Sequence, residues 1–173
     1  KINEGDVVAL IMPNTLETAV ATIGAAIAGI VNPINPLLEP EQIAAILRET
    51  DARVVVTLRA FPKTDIAQKT AEAVRHAPRV HTVLEVDLNR YLTPPKSWIV
   101  PLIRPKNTGN HHADVKCFTR ELAGQPITLK FDDPGTDRVA AYFHTGGTTG
   151  MPQVAQQRYS GMVYNGWLGH RLL

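Results

Sequence analysis

Val7-Val8-Ala9-Leu10-Ile11-Met12 is an unbroken apolar run, bounded by Gly5-Asp6 on one side and Pro13 on the other. A strand with one wet face alternates apolar and polar side chains. A run with no alternation suits a strand buried on both faces, in a parallel sheet with helices above and below it. The rest of the chain then has to supply those helices.

It does so in alternation. Asn14 stands where a helix N-cap is expected, with Glu17 placed to reach back to the cap's N–H. Leu16, Ala19, Val20, Ile23, Ala26, Ile27 and Ile30 recur at helical spacing, and Gly29 with the prolines beyond it ends the helix. A short extended piece over 31–34 leads to a second helix. Pro40 fits its first turn, and Ile43, Ile46 and Leu47 line one face. Residues 53–57, with three consecutive valines, read as another buried strand. Thr64 can cap a third helix running to about His76, and 80–86 reads as the next strand. Strand and helix in alternation predict an α/β fold, a mainly parallel sheet flanked by helices.

The pattern weakens over 89–134, which is proline-rich and is expected to be an irregular connecting region. Within it, Trp98 to Ile103 can pack as a short helix or an irregular segment, and 117–122 can form a short helix ended by Gly124. Asp132-Asp133-Pro134-Gly135 predicts a turn. A strand over 139–143 follows, and Tyr159 to Leu173 can form a final helix with Tyr164, Trp167 and Leu168 as packing residues. Residues 1–173 are expected to be a single partial domain, since 173 residues suffice for one core and fit two poorly.

Composition removes several classes of function. Eighteen basic against 16 acidic residues give a net charge of +2, with no basic stripe, so neither a nucleic-acid partner nor an acidic membrane surface is expected. The apolar stretch over 18–31 is shorter than the roughly 20 residues a membrane span needs, so no transmembrane segment is expected. The single cysteine, Cys117, excludes an internal disulfide and suits a reducing cytoplasm; a small buried hydrophobe is the expected role. His111-His112 lacks a third ligand at sensible spacing, and no metal site is expected.

The chemistry is concentrated in Thr145-Gly146-Gly147-Thr148-Thr149-Gly150, three glycines and three threonines in six residues. Glycine lets backbone approach a ligand closely. Hydroxyls and the N–H groups of a curled loop form a concave set of donors, suited to phosphate. The strand before it puts the loop at the carboxyl edge of a sheet, where α/β proteins bind ligands. No Lys-Ser or Lys-Thr pair follows the last glycine, because Met151-Pro152 stands there, so this is not a Walker loop. A flexible surface turn is the bland alternative. His144 beside the loop can touch substrate or pack.

Residues 145–153 resemble the signature loop of the adenylate-forming (AMP-binding) superfamily, which contains acyl-CoA synthetases, luciferases and peptide-synthetase adenylation domains. That loop typically reads Thr-Ser-Gly-Thr-Thr-Gly-x-Pro-Lys-Gly; Thr145, Gly147, Thr148, Thr149, Gly150 and Pro152 match it. Gly5-Asp6-Val7-Val8-Ala9-Leu10, Pro13-Asn14, Gly29-Ile30-Val31-Asn32-Pro33-Ile34-Asn35-Pro36 and Asp51-Ala52-Arg53-Val54-Val55-Val56-Thr57 resemble the family's earlier segments in the same order. Asp137 stands where an acidic residue often precedes the signature strand.

The resemblance implies part of the large domain of an acyl-CoA synthetase. Such enzymes use ATP, with Mg2+, to turn a carboxylic acid into an acyl-adenylate, then pass the acyl group to coenzyme A, as in fatty acid metabolism. It implies that Thr145, Gly146, Gly147, Thr148, Thr149, Gly150 and Gln153 contact the ATP phosphates. No catalytic residue is implied, because the adenine, ribose and catalytic-lysine motifs have no counterpart before Leu173. The isolated chain is therefore expected to be inactive, as an excised or degraded piece of a longer protein. Two departures bear on affinity. Gly146 replaces the usual serine, and Gln153 replaces lysine, a cation, with a neutral amide. Val154 also replaces a usual glycine. These departures leave open a non-catalytic remnant that associates with itself or with a partner through surfaces left bare.

Overall fold

The structure is a computed structural model that describes residues 2–105, 109–126, 128, 137–145 and 153–172. Its element order is β1 (Val7–Ile11), α1 (Leu16–Ala28), β2 (Ile30–Pro33), α2 (Pro40–Glu49), β3 (Ala52–Leu58), α3 (Ile66–Arg75), β4 (Thr82–Val86), a 3-10 turn at Leu88–Tyr91, α4 (Lys96–Ile103), β5 (Asp114–Cys117), α5 (Phe118–Ala123), β6 (Val139–Thr145), β7 (Gln153–Arg158) and α6 (Tyr159–Leu172). The fold is α/β, with one seven-stranded sheet in the order β5-β4-β3-β1-β2-β6-β7. All neighbours are parallel except β6 and β7.

β1 lies mid-sheet, as its unbroken apolar run demands. Its side chains alternate between two cores. Val7, Ala9 and Ile11 join Ile43, Ile46 and Leu47 of α2 and Val74 of α3. Val8 and Leu10 join Ala21, Ala25 and Ala26 of α1, with Phe118 of α5. The sheet is thus covered on both faces. Gly29 is required where α1 turns into β2, because a Cβ there would collide with the Asp6 carbonyl oxygen. Among the described residues no helix is long and apolar enough to cross a membrane.

Several details differ from the sequence reading. Thr15, not Asn14, caps α1, and its hydroxyl oxygen accepts from the Thr18 N–H at 3.3 Å. Glu17 does not close a capping box on Asn14. It is buried and accepts from Arg90 at 2.8 Å and from the Tyr91 hydroxyl at 2.7 Å. Asp65 rather than Thr64 is the N-cap residue of α3, although the Thr64 hydroxyl accepts from the Ile66 N–H at 3.3 Å. Within 89–134 the short helix expected over 117–122 is α5, ended by Gly124, and Trp98 to Ile103 lie in α4, whereas the 3-10 turn and β5 were not expected. Cys117 is exposed, not buried, because β5 is an edge strand whose four residues all face solvent. Tyr164, Trp167 and Leu168 of α6 are exposed as well, so they do not pack into the core.

Candidate phosphate-binding hairpin

β6 runs parallel to β2, with Val31 opposite Ala141, and β7 returns antiparallel to β6. Thr145 and Gln153 are Cα partners at the end of this pairing, and the glycine- and threonine-rich segment lies between them in sequence. Gly146, Gly147, Thr148, Thr149 and Gly150 lie outside the described residues; Thr145 and Gln153 form the neck they spring from. Since β6 is parallel to β2, Thr145 and Gln153 lie at the edge at which β1 to β5 also end. In doubly wound sheets this carboxyl edge is where ligands bind.

The neck is fixed from three directions. His144 Nε2 lies 2.7 Å from Asn32 Oδ1, and Asn32 is fully buried in β2. Asn32 Nδ2 donates to Thr50 Oγ1 at 3.1 Å, and Thr50 Oγ1 donates to the Ile46 carbonyl at 2.8 Å. This direction of donation leaves Asn32 Oδ1 as an acceptor, so His144 Nε2 must carry the proton. Burial lowers the His144 pKa against a smaller opposing pull from Glu49, which favours the neutral ring. His144 therefore has a packing and positioning role at Nε2, while its buried Nδ1 has no hydrogen-bond partner among the described residues. Asn32→Leu would leave the His144 N–H buried without an acceptor, at a cost of about 2 kcal/mol. Urea unfolding checks this; an unchanged midpoint would show that the bond carries no weight.

The second tie is Arg138, at the start of β6. It donates to the Gly29 carbonyl at 3.0 Å and the Ile27 carbonyl at 2.5 Å, both at the end of α1. Its guanidinium also lies 4.9 Å from the centre of the Tyr159 ring, and the Tyr159 hydroxyl donates to the Ala26 carbonyl. The third tie is Asp137, whose carboxylate accepts from the Ser160 N–H at 2.9 Å and the Ser160 hydroxyl at 2.7 Å. These two bonds, the backbone one first, hold its pKa below the usual carboxylate value. Asp137 thus satisfies the first turn of α6. Sequence reasoning missed Asn32 as a contact of the loop and missed Arg138 altogether. A polar residue inside a buried strand was the available signal for Asn32; Arg138 gave none.

The other candidates do not join this site. His112 Nε2 lies 2.9 Å from the Val80 carbonyl oxygen, between α3 and β4. Asp132 and Asp133 lie outside the described residues. Among the described residues no three His, Cys, Asp or Glu side chains are grouped so as to hold a metal ion.

The family model of AMP-binding enzymes matches residues 1–171. The chain is 32% identical over 158 residues to a marinolic acid–CoA ligase of Pseudoalteromonas, covering 91% of this chain and 21% of the relative. It is 30% identical over 173 residues to a long-chain-fatty-acid–CoA ligase of Bacillus subtilis, covering 95% and 29%. Among solved structures, the A domain of a carboxylic acid reductase from Segniliparus rugosus superposes with a TM-score of 0.68 at 16% identity, covering 92% of this chain and 25% of that one. The chain therefore spans under a third of the length of the relatives it matches. A family match along nearly the whole chain, on a mainly parallel sheet covered by helices, makes this chain a member of the AMP-binding enzyme family.

Proposed function

We propose that this chain carries the polyphosphate-binding loop of an ATP-dependent acyl-CoA synthetase. The observation behind this reading is the hairpin neck, where Thr145 and Gln153 face each other at the carboxyl edge of the sheet. In the reaction a carboxylate oxygen attacks the α-phosphorus of ATP, pyrophosphate leaves, and the acyl-adenylate then yields its acyl group to the thiol of coenzyme A. Thr145, Gly146, Gly147, Thr148, Thr149, Gly150 and Gln153 would hold the β and γ phosphates. Their work is to position the triphosphate and to stabilise charge as pyrophosphate departs. Mg2+ would arrive bound to the nucleotide phosphates. The acyl substrate, coenzyme A and adenosine would be held by other parts of a longer protein. The reducing cytoplasm is the proposed compartment, on the strength of the single cysteine.

Calorimetric titration with ATP tests the reading. Thr148→Ala with Thr149→Ala removes two hydrogen bonds to charged phosphate oxygens, about 1.5 kcal/mol each at the low end, so affinity should fall at least about a hundredfold. Gln153→Lys replaces a neutral contact with a charged one and should raise affinity about tenfold. No heat of binding in any variant, Gln153→Lys included, would overturn the proposal for this chain. That outcome would favour a non-catalytic association module, a reading supported by the exposed Leu16 and Ile23 of α1 and Trp167 of α6.

A further inference from the structure

A cavity of about 580 Å3 opens at the carboxyl edge of the sheet, on the face covered by α3. Thr57 and Arg59 line it from the end of β3, Glu85 from β4, Thr70 from α3, and Arg104 and His111 from the connection between α4 and β5. The volume falls within the roughly 300–1,000 Å3 of small-molecule sites. In the sheet, β4 lies four places from β6, about 19 Å at roughly 4.8 Å per strand, so this is not the hairpin site. Three polar groups of the wall lack a partner, whereas buried polar groups in folded chains are normally bonded. Glu85 makes no hydrogen bond or ion pair among the described residues. Arg104 Nε and His111 Nδ1 are buried and unbonded. The two arginines turn to Asp87 instead. Arg104 Nη2 lies 2.8 and 2.9 Å from its carboxylate oxygens, and Arg59 Nη1 lies 3.5 Å away. Burial raises the Glu85 pKa, against the opposing charges of Arg59 and Arg104. Burial and the neighbouring His112 lower that of His111, which favours a neutral ring.

We propose that this cavity binds a small zwitterion of the α-amino acid class, its carboxylate on Arg104 Nε and Arg59 and its ammonium on Glu85. Charges of both signs line one cavity, and they are not paired with each other. A simple anion would face Glu85, and a simple amine would face Arg59 and Arg104. A molecule carrying both charges meets neither repulsion and makes a charge-assisted bond at each end. A long apolar acid fits less well, because its chain would leave the buried Arg104 Nε and His111 Nδ1 unpaired. Arg59 is free to turn to a ligand, since its side chain is 56% exposed and its contact with Asp87 is long. Arg104 is held in place by Asp87 with only 12% of its side chain exposed, so its Nε–H is presented without a rearrangement. The His111 ring adds a neutral hydrogen-bonding atom. The proposal uses nothing of the phosphate loop, so its failure leaves the ATP reading untouched.

The test is calorimetric titration of the chain with a panel of the proteinogenic α-amino acids, each set beside its N-acetyl form and its decarboxylated amine. At least one amino acid should bind. Removing either of its charges should weaken binding at least about tenfold, the scale of one charge-assisted hydrogen bond. Glu85→Gln should weaken the amino acid to the same degree. The thermal midpoint of the free variant should equal or exceed the parent's, because the carboxylate it removes has no partner in the fold and is disfavoured by burial. That pair of readings separates a lost ligand contact from a damaged fold. Backbone amide NMR should place the largest shifts on residues 83–87 and 109–115 and leave those of the hairpin neck in place. Four outcomes overturn the proposal: no member of the panel binds, an N-acetyl form or an amine binds as tightly as its parent, Glu85→Gln binds unimpaired, or the shifts centre on the neck residues Thr145 and Gln153.

Discussion

Replacing Arg90 by alanine and Tyr91 by phenylalanine together should cost about 3 kcal/mol of stability at neutral pH, the scale of a buried charge stripped of its partners. Glu17 is 3% exposed at the start of α1, and Arg90 and the Tyr91 hydroxyl donate to its two carboxylate oxygens. Arg90 also reaches the Thr119 hydroxyl at 3.2 Å, so the cluster joins α1, the 3-10 turn and α5. Burial alone would raise the Glu17 pKa. The Tyr91 hydrogen bond, then local bonds from the Glu17 N–H and the Thr15 hydroxyl, and last the Arg90 charge together outweigh it and hold the carboxyl below its usual range. The parent's contribution from Glu17 is therefore complete above the unfolded carboxylate pKa and is lost as pH falls through the lower folded one. In the double variant burial acts without those partners and the folded pKa rises. Protonation then relieves the strain, and the deficit against the parent should shrink as pH drops below the carboxylate range. Urea unfolding at neutral and acidic pH measures both. A neutral-pH loss below about 0.5 kcal/mol, the ordinary range for surface substitutions, would contradict the assignment. So would a deficit that widens in acid.

Arg138→Met should cost about 3 kcal/mol, from two charge-assisted hydrogen bonds of roughly 1.5–3 kcal/mol each, partly offset by the retained side-chain packing. Helix α1 has no basic residue in its own last turn. Arg138 supplies that charge from the far side of the sequence, satisfying the Ile27 and Gly29 carbonyls and favouring the negative end of the helix. Because Arg138 directly precedes β6, its loss should also loosen the hairpin neck, and ATP affinity should fall along with stability. Chemical denaturation and calorimetry on one preparation test this. Full stability in the variant would mean that water caps α1 equally well.

What the sequence made legible follows the range of each interaction. Val7 to Met12 announced a central strand because apolarity on both faces is a local property. Pro40 took the first helical position of α2, and Gly124 ended α5, for equally local reasons. The choice between Asn14 and Thr15 as cap was open to either residue; Thr15 also contacts the Thr18 hydroxyl, which donates to the Pro13 carbonyl. Strands β5 and β7 were missed because both are largely exposed edge strands. Asp114–Cys117 and Gln153–Arg158 pair through backbone and show little apolar patterning. Glu17 was misassigned because its partners lie 73 and 74 residues away. At the candidate site the glycines and threonines gave an expectation only, because 146–152 lie outside the described residues. The ties that hold its neck, Asn32 to His144 and Arg138 to α1, are long-range and became visible only with the fold.

The central claim is that the hairpin tip grips a polyphosphate through backbone N–H groups and threonine hydroxyls. Backbone amide NMR during titration with ATP and Mg2+ tests it most directly. The account predicts that the largest shifts fall on the amides of residues 145–151 and 153, with lesser movement at His144 and Asn32. Saturating ATP that leaves those amides in place, while others shift or none do, would contradict it.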